Sequence, residues 1–78
     1  MQYQEESEVI EQFEESVLTG IIKVYGWNDK PAIYAGFNNW TDSLCKDGKI
    51  SKEMYNNICY EYDENFCARI AAQLLKQS

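Results

Sequence analysis

Six glutamates, Glu5, Glu6, Glu8, Glu11, Glu14 and Glu15, fall within residues 5–15 with no lysine or arginine among them. Carboxylates this dense can share protons as general acid and base, gather a cation, or present an anionic surface to a basic partner. The chain has a net charge of −6, and residues 1–15 supply all of it. The other acids (Asp29, Asp42, Asp47, Glu53, Glu61, Asp63 and Glu64) are balanced by seven bases. The excess charge is local, so it can be aimed at a partner.

The first two chemistries lack companions. The sequence has no histidine, which removes the commonest general base and the commonest zinc ligand together. Carboxylates on a solvated helix face have no apolar pocket to drive their pKa values apart. Cys45, Cys59 and Cys67 form an odd set without a Cys-x-x-Cys pair. They read as reduced, structural thiols, each a small buried hydrophobe, in a cytosolic protein. Gly20, Gly26, Gly36 and Gly48 are scattered, so no phosphate-cradling loop is present. The expectation is a protein that is not an enzyme and holds no metal or cofactor.

The stretch Asp47-Gly48-Lys49-Ile50-Ser51-Lys52-Glu53 resembles the middle of an EF-hand calcium loop. With Gly48 as the turn glycine, however, the first ligand position is Ser43, the second carboxylate position is Cys45 and the closing acid is Met54. Calcium needs six to eight oxygens, several of them anionic, and this loop offers mainly Asp47. A helix–turn–helix explains every residue of the piece. Gly48 is the left-handed residue, Ser51 the N-cap, and Ile50 a staple onto Tyr55.

The elements that must position the glutamates follow from periodicity. Tyr3, Val9, Ile10, Phe13 and Val17 share one arc of a helix over about residues 4–19, opposite Glu5, Glu8, Glu11, Glu14 and Glu15. The spacing continues through Ile21 and Val24, which extends the helix to about Gly26. A strand at 21–25 is the weaker alternative. Leu18, Ile22 and Tyr25 then widen the apolar arc and must pack under another helix or meet a partner. Asp29 caps a second helix, about 31–46, whose stripe is Ile33, Phe37, Trp40 and Leu44, with Gly36 on its polar side. Residues 52–76 carry two further apolar arcs, Met54, Tyr55, Ile58, Cys59 and Tyr62, then Phe66, Cys67, Ile70, Ala71 and Leu74. They form one helix or two broken at 63–65, with the poor helix formers there favouring the break. Residues 1–78 are thus expected to be a single all-α domain, a small bundle of three to four helices with short loops. No stretch is apolar enough to span a membrane, and the acidic start does not read as a secretory signal.

The glutamate row also fits a plain solvated face, since glutamate is a good helix former. Two features favour a functional surface. There are no i, i+4 lysine partners. The charge spacing along the helix, about 3 Å, also approaches the roughly 3.4 Å per charge of one DNA strand. Tyr60, pointing away from its arc, Trp27, in a turn, and Ile22 complete the expected contact residues. The leading expectation is a small acidic inhibitor of anti-CRISPR-like character, encoded by a phage or mobile element. It would occupy the basic surface of a nucleic-acid-binding protein without touching nucleic acid or membrane itself. A homodimeric assembly module, with Leu18, Ile22, Tyr25 and Trp27 shared between chains, and an antitoxin or immunity protein are the rival readings.

Overall fold

A computed structural model describes residues 3–77, which form five α-helices and, among the described residues, no strand. The helices are α1 (Glu6–Ser16), α2 (Leu18–Tyr25), α3 (Lys30–Lys46), α4 (Lys52–Asn57) and α5 (Glu64–Gln77). The all-α bundle expected from periodicity is therefore present. It contains one helix more than the expected three to four because the first anticipated helix is interrupted, and the break anticipated within 52–76 is present.

The first interruption is at Val17, where a helix had been expected to run unbroken to Gly26. Val17 has φ −111° and ψ −44°, and the break is spanned by its N–H to the Phe13 carbonyl and the Ile21 N–H to its own carbonyl. The reason lies in the side chains. Phe13 and Leu18 are both fully buried, yet they are five positions apart, about 140° around a straight helix. Turning the chain at Val17 brings both inward. The change of direction also reassigns the faces beyond it. Ile22 (4% exposed) joins Leu18 in the core, and Val24, expected on the core arc, is 73% exposed. Residues 21–25 are helical, so the strand alternative does not hold.

Helix α3 contributes to both apolar clusters of the core. Ile33, Phe37, Thr41 and Leu44 form its buried stripe, with Trp40 packed against both apolar clusters. One cluster gathers Phe13, Leu18, Ile22, Ile33, Phe37, Tyr60 and Cys67, the other Val9, Leu44 and Ile50. Thr41 is buried without penalty because its Oγ1 donates to the Phe37 carbonyl at 2.9 Å. Gly36 was expected on the polar side. It instead lets α2 approach closely, since a Cβ there would collide with the Ile21 side chain.

The helix ends obey local chemistry. Asp29 Oδ1 accepts from the Ala32 N–H at 3.2 Å, and Ser51 Oγ from the Met54 N–H at 3.0 Å. Gly48, at φ 76°, closes α3: its N–H reaches the Cys45 carbonyl and the Lys49 N–H the Leu44 carbonyl, at 3.1 and 2.8 Å. Ile50 is buried in the cluster against which Tyr55 packs, as the staple requires.

The second interruption is longer than expected. Helix α4 stops at Asn57, and residues 58–63 are non-helical before Asp63 Oδ1 accepts from the Phe66 N–H to start α5. Burial across that segment alternates: Ile58, Tyr60 and Tyr62 are at least half-buried, while Cys59, Glu61 and Asp63 are exposed. Cys59 is therefore not the buried hydrophobe anticipated. Tyr60, expected on the surface, is 3% exposed and stacks edge-on against Phe13 at 5.0 Å between ring centres.

Candidate functional site

Helix α1 opens with Glu5 in an extended conformation (φ −132°, ψ 150°) whose carbonyl accepts from the Glu8 and Val9 N–H groups. Glu6 and Glu8, in the first turn, sit where the helix dipole favours negative charge. Glu14 and Glu15, near the other end, have no such help, because the last turn contains no basic residue. Val9 and Phe13 anchor the opposite side of the helix in the two clusters. This fixes Glu8, Glu11 and Glu15 as an outward row.

Glu5, Glu6, Glu8, Glu11 and Glu15 are exposed. Among the described residues the single ion pair is Lys46–Asp42, at 3.0 Å on α3, so no lysine or arginine comes within pairing distance of the α1 carboxylates. Like charges at i, i+3 and i, i+4 cost about 0.2–0.5 kcal/mol per pair, and no basic side chain within pairing distance offsets that here.

Glu14 departs from the expected row. It is half-buried, and the Tyr60 hydroxyl donates to its Oε2 at 3.2 Å. Burial first, and the Glu14 charge second, hold the Tyr60 phenol far above its ordinary value. The Cys67 thiol is also pushed up, by burial and then by Asp63 and Glu14, so it stays protonated and is a poor nucleophile. Glu14, Glu15 and Thr19 form one wall of a groove of about 450 Å³, and Phe66, Arg69 and Ile70 belong to the other.

The structure keeps Glu5, Glu8, Glu11 and Glu15 together on the surface and removes Ile22 and Tyr60 from it. Both are core residues here, 4% and 3% exposed. Trp27 is half-buried, and its carbonyl accepts from the Tyr62 hydroxyl at 2.7 Å. Two acidic residues join the face that sequence reasoning had not counted as contacts. Glu6 and, from α4, Glu53 flank a groove of about 420 Å³ with Glu5 at the start of α1. Glu6 was visible in the glutamate run, whereas Glu53 is brought in by the fold. The inward turn of Tyr60 also had a signal, the period-two alternation of Ile58-Cys59-Tyr60-Glu61-Tyr62-Asp63.

Among the described residues no three His, Cys, Asp or Glu side chains gather in a metal-binding arrangement, and no helix is long and apolar enough to cross a membrane. No family model matches the chain, and comparison with curated proteins and with solved structures returns no match.

Proposed function

We propose that this chain is a binding protein whose α1 glutamate face occupies a basic surface on another protein, one that otherwise holds nucleic acid. In that role it is of anti-CRISPR-like, nucleic-acid-mimicking character, the type of inhibitor that mobile elements direct at nucleic-acid-handling machinery. The observation that carries the reading is the unpaired row Glu8, Glu11 and Glu15 with Glu5 beside it, exposed and beyond ion-pair reach of every described lysine and arginine. A row of like charges with no basic side chain in pairing distance makes sense if a partner supplies the cations.

The test is the triple charge reversal Glu8→Lys, Glu11→Lys, Glu15→Lys, compared with the native chain in capture from host lysate at low and high salt. Melting should hold within a few tenths of a kcal/mol: positions 8, 11 and 15 stay like-charged to one another, while the reversed side chains at 8 and 11 gain i, i+3 partners of opposite charge in Glu5 and Glu14. The captured protein should be lost by the variant, released by salt that shortens the Debye length below about 8–10 Å, and displaced by duplex DNA or RNA. Capture that survives the reversal would show the glutamates to be only a solvated face.

A further inference from the structure

The groove of about 450 Å³ at the Glu15 end of the row has carboxylates on one wall and a guanidinium on the other. Glu14 and Glu15 belong to α1, and Arg69 to α5. Opposite charges that share a groove usually meet. Here the single ion pair among the described residues is Lys46–Asp42, so Arg69 reaches neither carboxylate. Phe66 and Ile70, both half-buried, line the α5 side beside Arg69. The Tyr60 hydroxyl donates to Oε2 of Glu14, which leaves Oε1 to accept from another donor. The groove thus offers an anionic wall, an apolar stretch and a cationic wall, with no ion pair across it.

We propose that this groove seats a segment of the partner protein that carries a base and an acid on one face, with an apolar residue between them. The base meets Glu14 and Glu15, the apolar side chain rests on Phe66 and Ile70, and the acid meets Arg69. Charge complementarity selects this occupant. A purely basic segment satisfies the carboxylates but brings like charge against Arg69, and a purely acidic one does the reverse. A mixed segment pairs with both walls. The inference rests on the reading of the glutamate face above and refines it: the partner's basic surface has an acid at one edge. That acid supplies selectivity. Exposed glutamates alone attract every basic surface, whereas Arg69 disfavours those that offer it no carboxylate.

Two synthetic helical peptides test it, titrated into the isotope-labelled full chain and followed by NMR. The salt is set at about 0.15 M, where charges beyond about 8 Å are largely screened. Both peptides present lysine and leucine on one face. One has glutamate a turn after the lysine, the order that pairs less well within a helix, and the other has glutamine there. The glutamate peptide should bind about two- to fivefold more tightly, the scale of an exposed ion pair. It should do so although it is the less cationic of the two and the chain carries −6. Shifts should centre on Thr19, Phe66 and Ile70. Arg69→Gln should erase the preference and Arg69→Glu invert it, with melting unchanged because Arg69 is exposed and unpaired. Equal or tighter binding of the glutamine peptide to the native chain overturns the proposal and leaves the glutamate row standing. So does a preference that persists in Arg69→Gln, shifts confined to other parts of the chain, or no binding of either peptide. A preference kept in Glu8→Lys, Glu11→Lys, with neither peptide losing affinity, supports the groove and tells against the row.

Discussion

Helices α1 and α2 are consecutive and share one apolar spacing, yet the structure uses them in opposite ways. Helix α1 buries Val9 and Phe13 and leaves five exposed or half-exposed glutamates outside within its bounds, Glu6, Glu8, Glu11, Glu14 and Glu15. Helix α2 has no acid, buries Leu18 and Ile22, and leaves Val24 and Tyr25 in solvent. The turn at Val17 separates an element whose outer face is electrostatic from one whose outer face is apolar. The comparison shows that unbroken hydrophobic spacing does not establish a single continuous face. Each side of a break can answer to a different set of neighbours.

The largest test of that contrast lies in α2. Leu18→Ala should cost about 2–5 kcal/mol, the range for a fully buried leucine, while Val24→Ala should stay within about 0.5 kcal/mol. Urea unfolding in dilute solution measures both. Equal costs would mean that the helix runs straight and Val24 belongs to the core.

Tyr60 tests how α1 is held from behind. In the unfolded chain Tyr60 ionises near 10.0 and Cys67 near 9.0, and folding raises both. Groups raised in this way contribute their full stabilisation below the unfolded values. That contribution is lost as pH climbs through and beyond them. Stability should therefore fall from about pH 9 upward. Tyr60→Phe should cost about 1 kcal/mol at neutral pH for the hydrogen bond to Glu14, and its alkaline decline should be shallower than the native one. An identical decline in both proteins would place Tyr60 in solvent.

A smaller effect probes where α2 approaches α3. Gly36→Ala gains up to about 1 kcal/mol of helix propensity but forces the Ile21 side chain aside. It should be destabilising alone, by about 1 kcal/mol. On an Ile21→Val background, which removes the colliding methyl, it should be neutral or better. Simple additivity of the two changes would mean that the helices do not meet at Gly36. Smallest in energy is thiol labelling. Cys59 is exposed and Cys67 fully buried, so Cys59 should react first and Cys67 only on unfolding.

The sequence by itself determined the all-α class, the glutamate row and the capped helix ends. Asp29, Gly48, Ser51 and Asp63 all act where their types suggest, because capping depends on atoms three or four residues apart. The charge asymmetry was equally legible, since exposed glutamates without basic neighbours need no knowledge of the core. Only the tertiary structure decided that the chain turns at Val17, that Glu14 leaves the row to accept from Tyr60, and that Ile22 and Tyr60 face inward. Phe13 and Leu18 lie about 140° apart on a straight helix, and periodicity cannot say whether one of them is exposed or the helix bends. Burying both against α3 settles it. Likewise Ile58 to Asp63 fits a helical arc and an extended alternation, and the contact of the Tyr60 ring with Phe13 and Phe37, 5.0 and 5.5 Å between centres, selects the second.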